Sequence, residues 1–149
     1  MKKFKYRLQA LLKVKEHIER ERQKEHATAL QKVHHQSNEL DRLDRSRDSS
    51  LSQQRGQMKE NLLVAEMLIY SRYLARLKRE RLAGTELLKA LEEEKEKKRT
   101  DLVEAAKERR VLEKLKERQL AKHTAEVEQV LTKEGDEIAV TCYRRKTQL

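Results

Sequence analysis

Residues 44–63 read DRSRDSSLSQQRGQMKENLL, and they interrupt a chain otherwise rich in Ala, Leu, Glu, Lys and Arg. Serine competes with the helix by bonding its own backbone, so the cluster around Ser46, Ser49, Ser50 and Ser52 weakens helical order. Gly56 can take a positive φ at a helix end, the usual role of a glycine just past the last turn. Asn61 is a candidate N-cap for the apolar run LLVAEMLIY. The spacing therefore predicts a turn at about residues 55–62, one helix over about 3–54 and a second over about 63–141, with a C-terminal tail at 142–149.

Apolar side chains on either side of the turn fall at helical steps. Phe4, Leu8, Leu11, Ile18, Ala29 or Leu30, Val33, Leu40 and Leu43 mark the first helix, with a polar gap between Ile18 and Ala29. The second is more regular. Alternating steps of four and three from Tyr70 reach Leu74, Leu77, Arg81, Gly84, Leu88, Leu91, Lys95, Lys98, Leu102, Ala105, Arg109 and Leu112. That is a heptad seam diluted by Lys and Arg, whose alkyl stems cover apolar surface while their charges reach water. A short turn forces antiparallel pairing, so the expected fold is all-α: a coiled-coil hairpin with the second helix longer and its far end uncovered. A parallel homodimer through both seams is the competing architecture. Gly84 bears on this choice, since glycine costs a helix about 1 kcal/mol against Ala unless it admits a bulky residue of the facing helix. The turn favours the hairpin, hence a monomer.

Composition agrees. The chain has 149 residues, 42% of them charged and 3% aromatic, with no Trp, one Phe and no Pro. That is too little large apolar material for a globular core and, without proline, nothing breaks long helices. Similar charge occurs in disordered chains, but their apolar residues scatter, whereas these keep a helical period. The one cysteine, Cys142, excludes an internal disulfide and fits a reducing compartment. No apolar run approaches the roughly 20 residues of a spanning helix.

Enzyme signatures are absent. There is no G-x-x-x-x-G-K, no H-E-x-x-H, no G-x-S-x-G and no cysteine pair at zinc spacing. His34 and His35 are neighbours, about 100° apart on a helix, and cannot share a metal as an i, i+4 pair would. No catalytic, metal or cofactor residue is expected.

What remains is charge. The net value is +10, and residues 1–15 carry six basic side chains and no acid. A secretory signal would need a continuous apolar stretch, which FKYRLQALLKVK lacks. A mitochondrial presequence is a closer imitation, but the helical pattern runs on past Glu16 without a break. A membrane-surface helix is a further reading, since Phe4, Leu8, Leu11 and Leu12 share a face. Nucleic acid is another. The basic start, however, carries apolar residues at seam spacing, and few aromatics are available to stack on bases. Non-specific affinity for phosphates follows from the charge alone.

The opening FKYRLQALLKVKE, the mid-chain turn, the segment IYSRYLARL that begins the second helix and DEIA at 136–139 resemble, in that order, the FliJ family of flagellar type III export proteins. The resemblance covers essentially the whole chain. It implies an antiparallel hairpin similar to the central stalk of rotary ATPases, with both termini in the hole of the hexameric flagellar export ATPase. The region nearer the turn would contact the cytoplasmic part of the large export-gate membrane protein, and the protein would also handle export chaperones. Such a protein is cytoplasmic and peripheral at the cytoplasmic face of the inner membrane, at the flagellar base.

On this resemblance the ATPase-binding residues are Phe4, Tyr6, Arg7, Leu8, Leu11 and Leu12. The gate-binding residues are Leu43, Tyr70, Tyr73 and Leu77, with Ser46 and Ser50 standing where some members carry aromatics. Tyr70 and Leu77 also fit the hairpin seam, whereas Tyr73 falls off it. A basic coiled coil that binds nucleic acid or a membrane surface is the alternative function.

Overall fold

A computed structural model describes residues 4–58 and 63–147. It contains two helices packed against each other, α1 (Gln9–Met58) and α2 (Val64–Thr147), of 50 and 84 residues. The described residues include no strand. Packing divides the chain into two units, Arg20–Val103 and a second made of residues 4–19 with 104–147.

Within Arg20–Val103 the cross-helix contacts descend in α2 as they ascend in α1. Glu25 meets Lys98 (2.9 Å), Lys32 meets Glu94 (3.4 Å), Asp44 meets Arg81 (2.6 Å), and Tyr70 donates its hydroxyl to Gln57 (2.9 Å). The pairing is therefore antiparallel. Ala29 and Leu77 are buried, and so is Ser50. At Gly84 the facing Leu40 comes so close that a Cβ would lie 2.8 Å from its Cδ2, and Gln36 Nε2 donates to the Gly84 carbonyl at 3.1 Å. The glycine admits a bulky neighbour.

The second unit is antiparallel as well. Tyr6 donates its hydroxyl to the Leu112 carbonyl (3.0 Å), Lys15 pairs with Glu108 (2.6 Å), and Arg109 binds both Glu19 and Glu113. Tyr6, Leu12 and Ala105 form its core.

The seam read from Tyr70 to Leu112 holds in α2, where every position except Arg81 is buried or half-buried. In α1 it holds from Ala29 to Leu43, with Ala29 buried and Leu30 exposed. The expected seam at Leu8 and Leu11 does not: both are exposed, while Tyr6 and Leu12 are buried. The cause is local. Helix α1 starts at Gln9, not at about 3, so residues 4–8 do not follow a helical period. No acid stands in its first turn and no Ser, Thr, Asp or Asn precedes it, so the helix start lacks a side-chain cap and faces like charge from Lys5 and Arg7.

Two other boundaries also move. Helix α1 runs through Gly56 to Met58, past the expected end at about 54. Of the clustered serines Ser50 is buried and Ser46 half-buried, so packing offsets part of their low propensity, while Ser49 and Ser52 are exposed. The remainder of the expected turn, with the Asn61 cap, lies outside the described residues. Helix α2 starts instead behind Leu63, whose N–H donates to Glu66 Oε2 at 3.2 Å, half of a capping box. Residues 142–147, expected as a tail, are helical. Arg144, Arg145 and Lys146 in the last turn suit the negative end of the helix dipole, and Thr141 bonds back to the Glu137 carbonyl.

Candidate functional site

The residues expected at the ATPase-facing end separate into two groups. Tyr6 is 8% exposed and Leu12 3%, so both are spent in holding the N-terminal segment on α2. Phe4 is half-buried, its ring 5.6 Å from that of His123 and tilted by 58°. Arg7, Leu8 and Leu11 are exposed, as is Val14. Two anchors underneath thus support an outer strip of Leu8, Leu11 and Val14 accompanied by Arg7. An exposed strip that combines aliphatic and basic side chains can pack against a protein surface, where a purely charged strip can only attract one. Leu8 precedes the helix and so escapes its period, whereas Leu11 lies within α1 and its neighbour Leu12 takes the buried position.

Nearer the turn, Leu77 is buried, Leu43 and Tyr70 are half-buried and Tyr73 is 42% exposed. Leu43 and Leu77 come together in one apolar groove with Leu51, Leu74 and Leu82, bordered by Asp44, Arg47, Lys78 and Arg81. Tyr70 and Tyr73 are not part of that lining. Tyr70 is held by Gln57, and Tyr73 stands outside the seam. Leu51 and Leu82 were not singled out from the sequence. Both lie off the heptad positions, and an apolar residue flanking a polar stretch of seam was the available signal. Asp44 Oδ1 lies 2.6 Å from Arg81 Nε without the alignment of a hydrogen bond, so this border contact is a charge contact.

A further apolar surface begins α2. Leu63, Val64, Leu68 and Ile69 are each more than half exposed, with Met67 less so, and Met58 at the end of α1 is half exposed.

Charge shapes the seam where apolar residues run out. The Glu25 carboxyl is held below the usual glutamate range, first by its hydrogen bond from Lys98 and then by Arg22. Arg109 is pushed up chiefly by its bond to Glu19. These contacts occupy the polar gap of α1 and fix pairing where no leucine does.

Among the described residues no group of three His, Cys, Asp or Glu side chains is placed to hold a metal ion. Cys142 is an exposed thiol. No helix among the described residues is long and apolar enough to cross a membrane. The family model described as "Flagellar FliJ protein" matches residues 4–148. No curated protein and no solved structure matches the chain.

Proposed function

The chain belongs to the FliJ family of flagellar proteins, and on that premise we propose that it serves flagellar protein export as a non-catalytic, stalk-like helix pair. The basic N-terminal segment and the α2 residues beside it enter the hexameric export ATPase and stimulate it. The turn-proximal part meets the cytoplasmic portion of the export gate. Export chaperones are further partners, and the working location is the cytoplasmic face of the inner membrane at the flagellar base.

One observation carries the ATPase reading. Tyr6 and Leu12 anchor the N-terminal segment from below, which leaves Leu8, Leu11 and Arg7 outward on a supported surface. A shaft needs both properties, a fixed backing and an outer face that a ring can grip. It performs no chemistry of its own. It can change the hydrolysis rate only by binding some conformations of the ring subunits more tightly than others. For the gate, Tyr73 and the groove at Leu43, Leu51 and Leu74 offer an aromatic anchor beside an apolar recess, the arrangement that concentrates binding energy at interfaces.

The test is ATPase stimulation. Leu8→Asp with Leu11→Asp should abolish the stimulation of the purified ring while helix content by circular dichroism stays unchanged, because both side chains are already exposed. Exchanging Lys5 and Lys13 for Gln should have a smaller effect. Intact protein that leaves the ATPase untouched but binds DNA tightly at physiological salt would replace the stalk by the nucleic-acid reading. Separately, Tyr73→Ala should weaken capture of the gate's cytoplasmic part with little change in the melting curve. A large drop in stability would instead assign Tyr73 to the packing of the helix pair.

A further inference from the structure

The start of α2 is apolar on the side where a surface helix is ordinarily polar. Tyr70 and Leu77 are half-buried and buried, so they define the face of α2 toward α1. Helical spacing places Leu68 opposite that face, with Val64 and Ala65 to either side of it and Ile69 on the flank. The exposure agrees: 74% for Val64, 55% for Leu68 and 68% for Ile69. Leu63, ahead of the helix, is 68% exposed. Farther along the same outer face the character changes to arginine, with Arg72, Arg76 and Arg79 all exposed. The one acid of the first turn, Glu66, is turned back onto the Leu63 N–H.

This is an ordered sequence along one face: two turns of aliphatic side chains, then a collar of cations. Leu68 and Arg72 are one turn apart, about 5.4 Å along the axis. An interfacial helix buries its apolar atoms about 5–10 Å into the boundary between headgroups and acyl chains. With the helix lying along the interface, the exposed arginines of the same face lie within reach of the lipid phosphates. The groove suited to a protein side chain lies elsewhere, among Leu43, Leu74 and Leu77. Exposed aliphatic side chains followed by exposed arginines are complementary to an apolar phase bordered by anions.

We infer that the first two turns of α2, from Leu63 to Ile69, dip into the surface of an anionic lipid bilayer, with Arg72 and Arg79 on the lipid phosphates. Arg76, bonded to Glu80 at 2.7 Å, contributes less. The contact is peripheral. Its strength is set by a small apolar area together with the negative surface potential, so neutral membranes are poor partners.

The chain has no tryptophan, so Ile69→Trp supplies a single optical reporter at the inserted position. With vesicles of phosphatidylcholine and phosphatidylglycerol, its emission should shift to the blue and be quenched by lipids brominated on the upper acyl chain. Vesicles of phosphatidylcholine alone should produce neither effect. Val64→Ser with Leu68→Ser should remove co-flotation of the otherwise unchanged full chain with the anionic vesicles. Arg72→Gln with Arg79→Gln should weaken partitioning about thirtyfold, the conversion of roughly 1 kcal/mol per basic residue near an anionic surface. All these side chains are exposed, so circular dichroism should remain as in the parent. A reporter whose emission does not move overturns the inference. So does flotation that Val64→Ser with Leu68→Ser leaves intact and salt removes, which is adsorption by net charge alone. Loss of gate capture in that variant with unchanged vesicle binding would assign the patch to a protein and also overturn it.

Discussion

At Gly84 a residue that looks like a defect in a helix proves to be a fitting. Glycine in a helix interior costs about 1 kcal/mol against alanine. Here a Cβ would stand 2.8 Å from Leu40 Cδ2 and 3.0 Å from Gln36 Nε2, so the bare backbone is what allows α1 to close on α2. Gly84→Val should therefore lower the thermal midpoint, since overpacking of this kind costs about 1–3 kcal/mol and outweighs the gain in propensity. Combining it with Leu40→Ala should cost less than the two changes added, because the second removes the atom that the first collides with. Gly56→Ala, with nothing within 4 Å of the new Cβ, should raise the midpoint. A Gly84→Val chain that melts with or above the parent would show that the close approach has no energetic weight.

Along the elements, the two helices were not equally legible. The period of α2 could be read because its leucines mark the seam often enough to carry Lys95, Lys98 and Arg109 with them. The first part of α1 could not, for two physical reasons. Its helix begins only at Gln9, so Tyr6 is buried on the strength of a hydrogen bond to Leu112 that no helical period anticipates. Beyond Ile18 the contacts belong to Glu19, Arg22 and Glu25, and hydropathy cannot distinguish a charged seam from a solvated face. The groove shared that blindness, because Leu51 and Leu82 reach it from outside the heptad positions. A seam spelled with charge should respond to acid. Glu25 is lowered in the folded chain, so its contribution is present above the unfolded pKa and is lost as pH falls through the folded one. Melting curves should shift down on acidification below about pH 4.3, the ordinary glutamate value. The shift should be smaller in Glu25→Gln and smaller at high salt, as expected for exposed pairs. Equal acid sensitivity in parent and variant would remove Glu25 from the account.

At the scale of the whole molecule, support is unevenly distributed. Residues 4–19 have α2 beneath them, and so does the α1 part of Arg20–Val103, but along residues 128–146 every side chain is exposed. The bonds along it include local ones such as Thr132 to the Glu128 carbonyl and Thr141 to the Glu137 carbonyl. Isolated helix of this kind is marginal in water. Any partner that grips it must also meet the entropy of fixing it. In calorimetric language, that association should be driven by enthalpy and opposed by entropy, and should weaken on warming. Gly135 sits in this stretch with open space around it, so Gly135→Ala would order the free helix in advance. Titration calorimetry should then find tighter binding through a smaller entropic penalty, without a single new contact to the partner.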